Sequence, residues 1–280
     1  MFFHCNPYKC NTLGLLTAVL TILLGATCAS AESGSYAATK PRIALLGDSM
    51  TWIGGDSCQN NTGWSHVLRE SGLASDIDVY ARSGATWTNT RNTRRNPTHY
   101  TELLHDDNVV FNQAVRLIER ADTADCAPDI IILFAGANDA WFASRRPGIF
   151  DRDTDEALSS SSTDPAGTTS LEGSLRLVTD LLHSRFPDAT LLFVAPLQMA
   201  KTDAETIHLV ADIIENTASK KGWITLRADK DLPVTHRQET KSHRFTYDGV
   251  HTNPDGARIT GNYITHHILT SYPTPKTQHD

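Results

Sequence analysis

The sequence predicts an α/β protein, a three-layer α/β/α sandwich around a central, mainly parallel sheet of five strands. Five short apolar segments lack the alternation of a half-exposed strand, which is typical of parallel strands covered on both faces. Segments with helical periodicity lie between and after them. This alternation favours right-handed crossovers that place helices on both faces of one sheet.

The predicted strands are short and rich in Ile, Leu, Val and Phe. Each has a length of five or six residues, which is common for a strand in a globular protein. In chain order they cover residues 42–46, 77–81, 130–135, 190–195 and 223–227.

The predicted helices follow from apolar residues at helical spacing. The second helix has Val110, Ala114 and Leu117 on one stripe, and the fourth begins after a candidate N-cap, Asp203, and closes on Gly222. The last helix precedes a Pro-containing tail. In chain order the helices cover residues 63–73, 108–121, 170–186, 203–222 and 253–272.

Two long segments do not fit this compact plan. Residues 88–107 and 142–169 both leave from a predicted carboxyl end of a strand, so both could reach over a pocket. Loops of this length are usually functional lids or disordered. The serine run 159–162 favours mobility for the second segment.

The N-terminus predicts a signal peptide over residues 1–31. Lys9 is its only charge and precedes a run, 13–26, that is too short to span a bilayer. The small residues up to Ala31 predict cleavage after Ala31, which leaves a single domain over 32–280 with its core at about 42–272. The protein is then secreted or periplasmic. An uncleaved membrane anchor and lipid attachment at Cys28 are the alternatives, and Thr27 suits the second poorly.

Composition and charge limit the partners and cofactors that are expected for this protein. Loss of Lys9 with the signal peptide takes the formal charge from −7 to −8. A negatively charged protein is a poor partner for nucleic acid or an anionic membrane surface. After cleavage of the signal peptide, no stable membrane insertion is expected. The 12 histidines form no metal-binding motif, so no metal and no cofactor are expected. The two cysteines of the mature chain, Cys58 and Cys126, lie at opposite edges of the predicted sheet and should be free thiols.

Small and polar residues stand where the predicted strands end. Ser49 follows the first strand, Gly84 the second and Asn138 the third, and a late loop holds Asp248 and His251. Because ligands bind at the carboxyl ends of parallel strands, these residues are expected to meet at one edge of the sheet. A nucleophile elbow of the α/β-hydrolase type is excluded, because it needs glycine where the chain has threonine, two residues after Ser49.

This set of residues resembles the SGNH (GDSL-type) hydrolase superfamily. Its four signature blocks match Gly47-Asp48-Ser49, Gly84, Gly136-Ala137-Asn138-Asp139 and Asp248-Gly249-Val250-His251, in order and over residues 42–272. The one departure is Met50, which stands where the family has Leu or Ile. The resemblance implies the flavodoxin-like version of the sandwich and a serine hydrolase.

The resemblance also implies a role for each residue. Ser49 is the nucleophile, His251 its base, and Asp248 orients the imidazole. The backbone N–H groups of Ser49 and Gly84 and the side-chain amide of Asn138 form an oxyanion hole. The expected activity is carboxylic ester hydrolysis by a secreted serine esterase.

The substrate is expected to be an O-acetylated or otherwise acylated carbohydrate. Three tryptophans, Trp52, Trp87 and Trp141, each lie three residues after a site residue, so they could line the rim and bind a sugar ring. They could equally pack beneath the loops. A lysophospholipase, a short-chain acyl esterase or thioesterase, and a noncatalytic carbohydrate-binding protein on a hydrolase scaffold are the alternatives.

Overall fold

The structure is a computed structural model, and it describes residues 40–98, 108–124, 126–146, 148–151 and 153–271. The predicted signal peptide, its cleavage site and Cys28 lie outside the described residues. Within the described part of the chain, no helix combines the length and the apolar character needed to cross a membrane.

Five parallel strands form the sheet, in the order β2-β1-β3-β4-β5. This confirms the predicted fold class, and the strand positions differ from prediction by one or two residues. The strands are β1 (Arg42–Gly47), β2 (Asp76–Val79), β3 (Ile130–Phe134), β4 (Thr190–Val194) and β5 (Ile224–Leu226).

Ten α-helices occur in the described residues. They are α1 (Ser49–Trp52), α2 (Trp64–Glu70), α3 (Val110–Thr123), α4 (Ala137–Phe142), α5 (Thr154–Ser159), α6 (Leu171–Arg185), α7 (Ala204–Ser219), α8 (Ala228–Asp231), α9 (His236–Ser242) and α10 (Pro254–Ser271).

The sheet order creates a switch point between β1 and β3. From β1 the chain turns to one side to form β2, then crosses to the other side of β1 for β3 and continues outward to β4 and β5. Crossovers leave in opposite directions at such a point, and a crevice opens beyond the carboxyl ends of the strands. The residues that follow β1 and β3 therefore stand beside this crevice.

Helices pack together in two groups around the sheet. Helices α3, α6 and α7 contact one another in sequence, and α2 packs along α10. The core is apolar throughout β3, whose five residues are all buried. Trp64 of α2 contacts Phe134 at the end of β3, with ring centroids 6.0 Å apart. This packing supports the strand ends that carry the site.

The segment predicted as a long mobile loop contains regular structure. Helix α5 begins after Asp153, whose side chain accepts hydrogen bonds from two backbone N–H groups of the first turn. Farther on, Arg176 of α6 donates to the carbonyl of Ser162 at 2.6 Å, and Asn89 donates to the carbonyl of Thr168 at 3.2 Å. The serine run suggested mobility because it has no apolar pattern, but contacts from buried side chains hold its end.

Cys58 and Cys126 are both buried and both free. The structure thus agrees with the expectation of two free thiols. Cys58 has a positive φ of 54° in the compact turn after α1.

Candidate active site

Ser49 is the first residue of α1, directly beyond the end of β1. The carboxylate of Asp48 caps this short helix and accepts a hydrogen bond from the N–H of Met50 at 2.9 Å. The preceding Gly47 packs so closely on β3 that an added Cβ would lie 2.1 Å from the carbonyl oxygen of Phe134. The close packing of Gly47 on β3 and the Asp48 cap together fix the position of Ser49 at the switch point.

A buried glutamine of α3 clamps the same strand end. The Gln113 side chain accepts from the N–H of Gly47 and donates to its carbonyl, both at 2.8 Å, and it is fully buried. Gln113 belongs to none of the four signature blocks, and its only signal in the sequence is a polar side chain beside the apolar stripe of α3. Gln113 thus gives the N–H of Gly47 an acceptor beyond the end of β2, and it shares the Gly47 carbonyl with the N–H of Arg82, which donates at 3.1 Å.

Asp248 and His251 lie on a turn before α10. One carboxylate oxygen of Asp248 accepts from the backbone N–H groups of Val250 and His251, at 2.9 and 2.7 Å. The turn needs glycine at position 249, where φ is 85° and a Cβ would lie 2.8 Å from the Cβ of Ala200. The buried Glu239 fixes the approach to this turn by accepting hydrogen bonds from Phe245 and Thr246.

The structure brings Ser49, His251 and Asp248 into one hydrogen-bonded chain. His251 Nε2 lies 2.9 Å from Ser49 Oγ, and His251 Nδ1 lies 2.7 Å from the second carboxylate oxygen of Asp248. Desolvation raises the pKa of Asp248, but hydrogen bonds from the ring and backbone of His251 and from the N–H of Val250 outweigh it, so this pKa lies below its ordinary value. The ionised Asp248 therefore accepts from Nδ1–H, which leaves Nε2 free to take a proton from Ser49.

The three hydrogen-bond donors predicted for the oxyanion hole follow β1, β2 and β3 at the carboxyl-end edge of the sheet. The backbone N–H groups of Ser49 and Gly84 have no hydrogen-bond partner among the described residues. Asn138, in the first turn of α4, donates one amide hydrogen to the carbonyl of Ala85 at 3.0 Å, which keeps its other amide hydrogen available next to Gly84. Gly84 has a φ of 72°, a conformation that glycine adopts without strain.

Asp139 connects α4 to the loop that follows Gly84. Its carboxylate is fully buried and accepts from the N–H groups of Trp87 and Thr88, both at 2.9 Å, and from the Thr88 hydroxyl at 2.8 Å. Burial raises its pKa above the ordinary range. Arg146 donates to the same hydroxyl at 2.8 Å. Asp139 thus fixes α4, which carries Asn138, against residues 87 and 88 of the loop that follows Gly84.

The cavity that contains the nucleophile has a volume of about 390 Å³, and we call it the nucleophile pocket. Trp52 is one of its lining residues. Tyr247, which sequence analysis missed, stacks on His251 with ring centroids 5.7 Å apart and an angle of 18°. Its position directly before Asp248 was the available signal. The lining residues are Ser49, Trp52, Ile53, Gly55, Asn60, Ser83, Tyr247 and His251.

The other two tryptophans of the predicted rim lie elsewhere. Trp87 is fully buried and stacks on Phe193 of β4, with centroids 6.0 Å apart. Its predicted contact with a substrate is wrong, because the side chain is fully buried. The backbone N–H of Trp87 donates to Asp139 and fixes the loop at this point. Trp141 is exposed, at 38%, but it lines a different cavity from that of Ser49.

Asp48 is a buried carboxyl group beside the nucleophile. It is 1% exposed, and burial raises its pKa to about 7, with hydrogen bonds from the backbone of Met50, Ala137 and Gly136 opposing the shift and the charge of Asp139 adding to it.

No group of three His, Cys, Asp or Glu side chains in the described part of the chain is arranged to hold a metal ion.

The comparison with protein families identifies the class of protein. The model of the GDSL-like Lipase/Acylhydrolase family matches residues 45–259, which includes every site residue named above. The chain belongs to this family and is a serine hydrolase that acts on ester bonds. A search of curated proteins found no match.

Solved structures show the same fold. A protein from Lactobacillus plantarum has 18% identity and a TM-score of 0.57, with 84% of this chain and 98% of that chain covered. A lipase candidate from Chitinophaga pinensis DSM 2588 has 14% identity and a TM-score of 0.54, with 82% and 98% covered. A GDSL-like lipase candidate from Bacteroides ovatus ATCC 8483 has 16% identity and a TM-score of 0.51, with 83% and 99% covered.

Proposed function

We propose that the protein is an exported esterase that removes acyl groups from carbohydrates by a Ser49-His251-Asp248 mechanism. The observation that carries this proposal is the continuous hydrogen-bonded chain of 2.9 and 2.7 Å through the imidazole of His251. Export rests on the sequence of residues 1–31, with cleavage after Ala31.

The reaction proceeds by acyl transfer and then hydrolysis. His251 Nε2 takes the hydroxyl proton as Ser49 Oγ forms a bond to the ester carbonyl carbon. The negative charge on the carbonyl oxygen is stabilised by Ser49 N–H, Gly84 N–H and the free amide hydrogen of Asn138, each donor contributing about 3 kcal/mol. The C–O bond to the alcohol breaks as His251 returns the proton to the leaving oxygen. Water then attacks the acyl-enzyme by the same steps and releases the acid.

The carbohydrate part of the proposal is supported by Trp52. This residue is partly exposed and shares the nucleophile pocket with Ser49 and His251. Flat aromatic faces suit the C–H face of a sugar ring, and the polar Asn60 and Ser83 of the same pocket suit its hydroxyl groups.

A lipid ester is the second candidate, because two of the structures with this fold are described as lipase candidates. A lipase or lysophospholipase would prefer long acyl chains. A carbohydrate deacylase would prefer acetate, so the acyl chain series separates the two.

The test is release of p-nitrophenol from acetate, butyrate and longer esters by the wild type and by Ser49→Ala. We expect turnover of the acetate ester to fall by about four orders of magnitude or more in Ser49→Ala. Equal turnover by the two proteins would refute the mechanism. A preference for long chains would favour the lipid ester.

A further inference from the structure

A second cavity lies farther along the same edge of the sheet, and we call it the Trp141 cavity. Its volume is about 430 Å³, and its lining comes from α4 after β3, from the segment after β4, and from the start of α9. The nucleophile pocket instead takes its lining mainly from segments after β1 and β2. Because the sheet order is β2-β1-β3-β4, the strands that lead into the two sets of lining segments lie on opposite sides of the β1–β3 switch point.

Both walls of the Trp141 cavity are attached to groups of the candidate active site. Trp141 follows Asn138 by three residues on the same short helix. On the other wall, the N–H of Ala200 donates to the carbonyl of Gly249 at 2.7 Å, within the turn that carries Asp248 and His251. Both walls of the cavity are therefore fixed to the segments that carry Asn138 and His251.

Trp141 has an exposed aromatic ring that packs against neighbouring side chains. Its ring stacks on Phe142, with centroids 5.9 Å apart and an angle of 23°, and the guanidinium of Arg146 lies 5.7 Å from the Phe142 ring centroid. Despite this packing, 38% of Trp141 is exposed. An exposed tryptophan in a concave site is a common ligand contact, because it binds apolar surface at little cost in conformational entropy.

The remaining lining is polar and can both donate and accept hydrogen bonds. His236 Nδ1 lies 2.8 Å from the carbonyl of Met199, so Nδ1 carries the hydrogen and Nε2 can accept one. Asp203 accepts from the N–H and hydroxyl of Thr206, at 2.7 and 2.9 Å, and has further lone pairs for a ligand. Lys201 is exposed and forms no ion pair within the described residues.

We propose that the Trp141 cavity is a second sugar subsite, which binds a sugar unit adjacent to the acylated one. This inference rests on the proposed carbohydrate esterase function and extends it from a single sugar to an oligosaccharide. One aromatic face among charged and hydroxyl groups matches a sugar, which has both an apolar face and many hydroxyls. An alkyl chain there would desolvate Lys201, Asp203 and His236 without replacing their hydrogen bonds to water.

The test compares Trp141→Ala with the wild type on three substrates. For an O-acetylated oligosaccharide we expect kcat/KM to fall about tenfold or more, mainly through KM. For the matching acetylated monosaccharide and for p-nitrophenyl acetate we expect less than a twofold change. Trp141→Phe should recover most of the loss. Leu209→Ala removes a comparably exposed apolar side chain outside the cavity, and it should leave all three substrates unaffected.

Each other outcome decides against the subsite. An unchanged kcat/KM for the oligosaccharide in Trp141→Ala would overturn it, and so would an equal loss on all three substrates, which would indicate displacement of Asn138. If Trp141→Ala changed the preference among the p-nitrophenyl esters of different chain length, the cavity would instead bind the acyl group. A wild type that cleaves p-nitrophenyl acetate but no acetylated glycan would overturn the subsite and leave the esterase mechanism intact, whereas a wild type inactive on every ester would refute the proposed function itself.

Discussion

At the scale of single residues, side chains that are adjacent in the sequence of the site differ sharply in their exposure to solvent. Ser49 is partly exposed and lies in the nucleophile pocket, whereas its neighbour Asp48 is buried beneath it. Asp248 stays ionised because it accepts three hydrogen bonds, while burial raises the pKa of Asp48 to about 7. Below about pH 7, the two carboxyl groups near this serine therefore differ in charge, with Asp48 largely protonated and Asp248 ionised.

Asp48 makes stability depend on pH. Its pKa in the folded chain, about 7, lies above its ordinary value of 3.8, so the folded state holds a proton that the unfolded state releases. This contribution is complete below about pH 4 and is lost as the pH rises to about 7, by roughly 4 kcal/mol. We expect Asp48→Asn to remove this part of the slope, because asparagine does not ionise and can still cap α1.

The measurement is urea unfolding of both proteins between pH 5 and pH 8. The difference in unfolding free energy, variant minus wild type, should increase with pH. Asp203→Asn is the control with no expected slope: the hydrogen bond from the N–H of Thr206 places the pKa of Asp203 below its ordinary value, so this carboxyl group is ionised in the folded and unfolded states throughout the range. Parallel curves for Asp48→Asn and the wild type would contradict the assignment.

Several residue roles were not predictable from spacing along the chain. Trp52, Trp87 and Trp141 share the same offset from a site residue, but one lines the nucleophile pocket, one is buried and one lines another cavity. The direction of each tryptophan side chain depends on how its loop is held by tertiary hydrogen bonds, such as the bond from the backbone N–H of Trp87 to Asp139. Gln113 and Tyr247 belong to no motif, so only the fold shows what they contact.

At the scale of elements, the strands were the most predictable feature because burial on both faces requires continuous apolar sequence. The short helices α1 and α4, which begin directly at the site, were not predicted as helices, since six residues or fewer give little periodic signal. Helix α5 escaped prediction for the same reason. Side chains of Asp48 and Asp153 cap α1 and α5, whereas α4 has no side-chain cap and is held by the hydrogen bonds of its buried Asp139.

The turn from Asp248 to His251 predicts a specific effect of Gly249→Ala. The new Cβ would lie 2.8 Å from the Cβ of Ala200 at a φ of 85°, so the turn must shift and move His251 relative to Ser49. We expect kcat to fall at least about a hundredfold, since a displacement of about 1 Å costs this much. The assay is p-nitrophenyl acetate hydrolysis.

Gly222→Ala is the matched control for this prediction. Gly222 has a similar φ of 77°, but a Cβ there meets no atom within 4 Å. It should cost about 1 kcal/mol of stability from backbone strain alone and leave kcat unchanged. Equal kcat values for Gly249→Ala and the wild type would show that the turn does not position the imidazole.

At the scale of the whole molecule, the site is a consequence of sheet order. Ser49 follows β1, Asn138 follows β3, and these strands are neighbours although they are far apart in the chain. The order of motifs therefore indicated the fold and the edge that carries the site. It did not indicate the depth or shape of either cavity, because these depend on how loops pack against one another.

The proposed export predicts where the mature chain begins and how many thiols it contains. We expect an intact mass that corresponds to a chain beginning at Glu32, with two thiols that react after unfolding, Cys58 and Cys126. Because the structure has both cysteines free, a reducing agent should leave the Tm unchanged. A chain that retains Met1 would refute cleavage, and a fall in Tm on reduction would refute the free thiols.

The most direct test of the mechanism is covalent labelling by a fluorophosphonate, in which the serine oxygen bonds to phosphorus and fluoride leaves. Mass spectrometry of the digested protein should find one adduct, on the peptide that contains Ser49. The labelling rate should fall by about two orders of magnitude or more in His251→Ala, because the base that takes the hydroxyl proton is then absent. An adduct on a different residue, or an undiminished rate in His251→Ala, would contradict the account.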